Sequence, residues 1–241
     1  MKSYKIKSHN SVPNYSSDCI ICGKKLVYSN HAEMNQCSIC NNKYETNCVC
    51  ENGHYVCDTC HSTGIYDLLP NLKNNTEKDP LKLMQHLMKL PYIHMHGPEH
   101  HAMVPCVILT AYKNCGGNVE LEHGLNEAIS RGSKVPGGIC GNWGSCGAAI
   151  GAGIFVSIAT GSNPLNKMVW HLPNLMTSRC LERIASVGGP RCCKRDSYIA
   201  IETAIVFASE YLGVQMPLST IKCSHSSINK ECIKSDCPYW N

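Results

Sequence analysis

The chain has 241 residues, of which 43% are hydrophobic and 17% charged, and its formal net charge is +4. That composition excludes a disordered chain, and so small a cationic surplus, which metal-bound thiolates would erode further, is no argument for nucleic acid. Eighteen cysteines are its dominant feature, a density that signals either a secreted disulfide scaffold or a set of metal sites.

The opening stretch, MKSYKIKSHNSVPNYSSD, has neither an apolar run nor a cleavage site of secretory type. The best apolar run, Ala148 to Ala159, falls short of the roughly 20 residues a membrane span needs. The expectation is a soluble cytoplasmic metalloprotein with no membrane contact.

Cysteines 19, 22, 37, 40, 48, 50, 57 and 60 come first, as four close pairs. A Cys-x2-Cys turn converges two thiolates on one ion, and two such pairs complete a tetrahedral shell. Cys19, Cys22, Cys37, Cys40, Cys48, Cys50, Cys57 and Cys60 are therefore expected to hold two Zn2+ ions, with His54 and His61 as spare ligands. Whether the pairs act in series or interleaved, as in RING-type modules, does not follow from spacing. This segment has few apolar residues of its own, and metal binding of roughly 10–16 kcal/mol per structural site can replace the missing core. It reads as a zinc-ribbon or treble-clef module within residues 1–70, with a structural or docking role.

Pro70 to Pro80 is polar and bounded by prolines, so it reads as a linker. Residues 80–241 read as a mainly α, bundle-like cysteine-rich domain. Apolar residues recurring every three or four positions predict helices over 80–90, 101–113, 119–131, 144–160, 172–187 and 196–212.

Three constellations punctuate these helices. The first, His94-Met95-His96-Gly97-Pro98-Glu99-His100-His101, puts four imidazoles and a carboxylate just before a helix. Both groups ligate transition metals and carry protons near neutral pH, so His96, Glu99 and His100 are candidate catalytic residues. In the second, VPGGICGNWGSCGAAIGAG (135–153), Cys140 and Cys146 bracket a glycine-rich loop. Cys146 falls in a first helical turn, where the dipole favours thiolate. Packing explains Gly151 and Gly153 without any ligand, and the glycines do not match a phosphate-binding P-loop.

The third is Gly188-Gly189-Pro190-Arg191-Cys192-Cys193-Lys194-Arg195, adjacent thiols among basic residues, with Arg191 and Arg195 placed to hold a small anionic substrate. The tail adds Cys223, Cys232 and Cys237-Pro238. Crowded thiolates repel one another unless a cation compensates. Cys192, Cys193, Cys223, Cys232 and Cys237 are therefore expected to converge on one metal centre, with Cys140 or Cys146 beside it. An iron–sulfur cluster, of the 4Fe–4S type, is favoured there over zinc.

The motifs ICGKKLVY, CVCENGHYVCDTCHS, MHGPEHHAMVP, VPGGICGNWGSCGAAIGAG and NLMTSRCLERIASVGGPRCCKR, with the closing Cys232, Cys237 and Pro238, span nearly the whole chain. Together they resemble a cysteine-rich, functionally uncharacterised family of anaerobic bacteria and methanogenic archaea. The resemblance implies an anaerobic sulfur or one-carbon setting and a partner protein related to methyltransferases, but no particular reaction. A looser similarity is to the helical iron–sulfur lyases serine dehydratase and cysteine desulfidase.

Two functions compete on this reading. One is an iron–sulfur or other metal-dependent enzyme, its cluster acting as Lewis acid or sulfur carrier. The other is an adaptor whose zinc module docks a partner protein or RNA. Three cysteines in a polar cleft would favour the enzyme, and four closing off the metal would favour the adaptor. A low aromatic content of 7% argues against RNA.

Overall fold

The computed structural model describes residues 19–241, so the opening stretch read above for a secretory signal lies outside the described residues. A small cysteine-rich module comes first. Strands β1 (Leu26–Gln36) and β2 (Lys43–Cys50) form an antiparallel hairpin, paired from Leu26 with Cys50 to Gln36 with Lys43 and irregular between Tyr28 and Glu33. The hairpin is mostly exposed, so its order comes from the cysteine knuckles at its ends. One turn of helix, α1 (Asp58–His61), starts at Cys57, and a 3-10 turn over Thr63–Leu68 runs into α2 (Leu69–Lys73).

The stretch read as a linker packs against the helical domain. Leu72 is fully buried, and the Asn114 side-chain amide donates to Asn75 O at 2.9 Å and to Glu77 O at 2.8 Å. Asp79 then caps α3 (Pro80–Leu87), its carboxylate accepting from the Leu81 and Lys82 amides, while Pro80 fits a first helical position where no N–H is needed.

The domain is helical, as its apolar periodicity implied. Helix α4 (Glu99–Asn114) is its axis, buried from Glu99 to Tyr112 and packed against α3, α5 (Leu121–Gly132), α7 (Gly147–Thr160) and α9 (Cys193–Tyr211). A single turn, α6 (Ile139–Asn142), precedes α7, and α8 (His171–Val187) packs on α7 and α9. Helices α4 and α7 approach closely: a Cβ at Gly151 would lie 2.7 Å from His101 O and 2.9 Å from Pro105 Cδ. Pro105 has no N–H for the His101 carbonyl, which leaves that surface free for Gly151 to press against.

Together the helices bury one apolar core that includes Ile65, Leu68 and Leu72 of the preceding segment. No helix among the described residues is long and apolar enough to cross a membrane.

Candidate metal centres and the cavity between the modules

Two tetrads in the N-terminal module bring metal-ligand atoms within 4.8 Å of one another: Cys19, Cys22, Cys50 and His54, and Cys37, Cys40, Cys57 and Cys60. In chain order the two sets interleave. A tetrahedral shell with bonds of about 2.3 Å has ligand-to-ligand edges of about 3.8 Å. The Cys22–Cys50 and Cys40–Cys57 sulfur pairs stand at 3.8 and 3.9 Å.

Local turns set this geometry. The Gly23 amide donates to Cys19 O and the Asn41 amide to Cys37 O, with both residues at positive φ. Electrostatics agree with the geometry. Burial would raise the Cys37 thiol, but the amides of Cys57, Cys40 and Ile39 outweigh it and hold Cys37 down to about 6. Cys60 goes far up, through burial first and then its neighbouring thiols, as crowded sulfurs do without a cation. Each tetrad has the donors and the spacing to hold a metal ion.

Cys48, expected among the ligands, lies outside both tetrads. It sits opposite Tyr28 in the hairpin and near Arg191, and His54 takes the fourth position.

The module docks on the helical domain and closes a cavity of about 300 Å3. Three contacts hold it: Asp58 accepts from the Gly137 amide at 2.7 Å, the Arg191 guanidinium lies 5.7 Å from the Tyr28 ring centre, and His61 Nδ1 is 3.1 Å from Glu99 Oε2. His96, His100, His101, Cys140, Cys146, Arg191, Cys193 and Asp196 line the space with His61 and His94.

Glu99 is its electrostatic anchor. Burial would raise this carboxyl, but His61 and His94 hold it well below the usual carboxylate range. Burial first, then Lys194, keeps His100 neutral. His96 is likewise lowered by burial and by Arg191, while its Nε2 donates to Glu231 Oε2 at 2.8 Å. Cys146, 3.9 Å from Asp196 Oδ2, is pushed up to about 12 by burial and then by that carboxylate, so the helix start does not make it a thiolate.

A second, smaller chamber of about 20 Å3 lies behind the cavity, lined by Cys192, Cys223, Cys232 and Cys237 with Lys194, Tyr198 and Asn229. That is room for little more than a water molecule, so it is no pocket for an organic substrate. Sulfur atoms accept hydrogen bonds around it: Cys192 from Asn229 Nδ2 at 3.6 Å, Cys223 from the His225 amide at 3.4 Å and Cys232 from the Lys234 amide at 3.4 Å. The Tyr198 hydroxyl is buried there without a partner among the described residues. Lys194 is fully buried, its Nζ bonded to His94 O at 2.7 Å, and burial lowers its pKa to about 8.

The expected convergence of tail cysteines thus divides into two spaces. Cys193 faces the cavity, and Cys140 is exposed on the cavity side, away from the chamber. Arg195, expected beside a substrate anion, lines the chamber instead; its Nε donates to Asp196 Oδ1 at 3.0 Å and an Nη donates to Pro190 O at 3.1 Å, which leaves Arg191 as the cavity's guanidinium. Asp58, Asp196 and Asn229 were missed by sequence reasoning, because none belongs to a spacing pattern. All 18 cysteines are free thiols.

No curated protein and no solved structure matches this chain. One family model does, over residues 69–240, which takes in α2 through the tail and so the chamber and most of the cavity. By that match the chain belongs to DUF5714, a family of unknown function.

Proposed function

We propose that the chain is a metal-dependent redox enzyme: an iron–sulfur cluster in the chamber of Cys192, Cys223, Cys232 and Cys237 serves chemistry on a small anionic substrate in the adjoining cavity. The single observation that carries this reading is the junction at the start of α9, where Cys192 lines the chamber and the next residue, Cys193, lines the cavity. The donor set fits such a cluster. Four thiols line one chamber, which would have to widen from its present room for little more than a water molecule; sulfur atoms accept N–H bonds as cluster ligands do, and the buried Lys194 offsets their charge. In the N-terminal tetrads the Cys-rich donor sets suit zinc in a structural role.

Bound in the chamber, the cluster would supply single electrons. Four thiolates would occupy all four iron positions, so in this reading the cluster would transfer electrons and not act as the Lewis acid considered from sequence. The chain's own residues do the rest. Arg191 holds the anionic group. His96 connects the two spaces, since its Nε2 lies 3.3 Å from Asn229 Oδ1 and Asn229 Nδ2 donates to Cys192 Sγ. His100 and His101 line the cavity with pKa values lowered by burial, as neutral imidazoles that can accept a proton, and the docked module forms one wall.

Anaerobic purification with iron, sulfide and zinc analysis tests the proposal, together with spectra of the oxidised and reduced protein. At least four irons and two zincs per chain are expected, and Cys237→Ala should lower iron while leaving zinc unchanged. Iron-free anaerobic protein with unchanged metal content in Cys237→Ala would overturn it. The adaptor reading is favoured by the same closure by four thiols. It predicts a cluster whose spectrum and potential are indifferent to Arg191→Ala.

A further inference from the structure

One group of side chains at the edge of the cavity, two of them in its lining, belongs to neither tetrad nor the chamber. His61, from the last turn of α1, meets His94 and Glu99, from the start of the helical domain, and the three bring ligand atoms within 4.8 Å of one another. We infer that His61, His94 and Glu99 form a mononuclear site for a divalent transition cation, with its remaining coordination positions facing the cavity.

Distances carry the first part of the argument. Bonds of about 2.0–2.1 Å give ligand-to-ligand edges of about 2.9 Å in an octahedral shell and about 3.4 Å in a tetrahedral one. His61 Nδ1 stands 3.1 Å from Glu99 Oε2, and His94 Nδ1 stands 3.4 Å from Oε1. Both rings present the same nitrogen to one carboxylate, with ring centres 4.4 Å apart.

Hydrogen bonding carries the second part. His94 Nδ1 is buried without a hydrogen-bond partner among the described residues, although a carboxylate oxygen is near. An ion pair alone leaves that nitrogen unsatisfied. A cation held by both imidazoles and the carboxylate satisfies it, and two neutral rings and one carboxylate are ordinary donors for zinc or ferrous iron.

The supporting contacts are those of a ligand set held from behind. Glu99 is 1% exposed, and its Oε1 accepts from the His94 amide at 3.0 Å. Lys194 fixes the His94 carbonyl at 2.7 Å. Position 97 has to be glycine, because a Cβ there would lie 2.1 Å from Glu99 Oε2 and 2.5 Å from His61 Cε1. With three protein ligands, the shell is completed from the cavity by water or by an oxygen of the anionic substrate.

The site joins the two modules through one ion. It does not depend on iron in the chamber, so the cluster reading can fail without affecting it.

The test is a Co2+ titration of the full chain, both tetrads loaded with zinc, recorded anaerobically as difference spectra against the same protein. One further equivalent is expected, with visible ligand-field bands and no thiolate-to-cobalt charge transfer. Glu99→Gln and His94→Ala should each weaken it by more than the roughly 10–100-fold that follows loss of an outer-shell partner. His61→Cys should keep the equivalent and add a thiolate band, a change that no merely structural role produces. The inference is overturned by the absence of a third equivalent, by a wild-type thiolate band that persists in Cys237→Ala, or by a His61→Cys spectrum that adds none.

Discussion

His54 completes the first tetrad because of a turn. Cys50 ends β2, the Gly53 amide donates back to Cys50 O at 2.7 Å, and Gly53 takes a φ of +78° that favours glycine. The chain reverses, and His54 Nδ1 arrives 3.5 Å from Cys50 Sγ. Cys48 sits two residues earlier in the strand, where the hairpin register puts it opposite Tyr28. The Cys-x-Cys spacing suggested a pair, whereas the operative signal was Cys50-x3-His54 with a glycine before the histidine. His54→Ala is therefore expected to lower the metal content of the tetrads from two equivalents to one, and Cys48→Ser to leave it at two, as read by elemental analysis of the full chain. Equal loss in both variants would restore Cys48 to the ligand set.

Among the elements, the long helices were legible because apolar residues recur at helical spacing, but their ends were not. Side-chain caps such as Asp79 and Glu120, and polar residues buried in the first turns of α4 and α9, decide where those helices start. Helix α4 begins at Glu99 and α9 at Cys193, each earlier than hydrophobic periodicity alone indicates. The short helices α1 and α2 showed no period at all; they are held by the cysteine knuckle at Cys57 and by burial of Ile65, Leu68 and Leu72. The α4–α7 contact, in contrast, was visible in the spacing of small residues. Gly151→Ala should cost about 1–3 kcal/mol, the usual price of overpacking a tight contact. Denaturant unfolding measures it, and an unchanged midpoint would mean that the helices can separate freely at this point.

At the scale of the molecule, the cavity could not be read from sequence, because its walls come from places far apart in the chain. Tyr28, His61, His94, Gly137 and Arg191 meet only once the module has docked. What spacing did reveal was the list of cysteines, and what it could not reveal was their division between chamber and cavity. Stripping metal from the tetrads with a chelator should unfold the module and open the cavity, while α3–α9 keep their core. The expected outcome is a nearly unchanged far-UV helical signal with a large rise in the rate at which Cys146 and Cys193 react with a thiol reagent. Protection that survives metal removal would show that the module stays docked without its ions.

The docked module has a consequence for control. One wall of the cavity is a segment with little apolar core, ordered by thiolates, and Cys22 of that segment is exposed. Oxidising a ligating thiol to sulfenic acid ejects its ion. Losing the ion removes the wall, so an oxidant could disable the cavity without reaching any residue inside it. Reduction and metal rebinding would then restore it, so the exposed Cys22 would act as a fuse for the wall of the cavity.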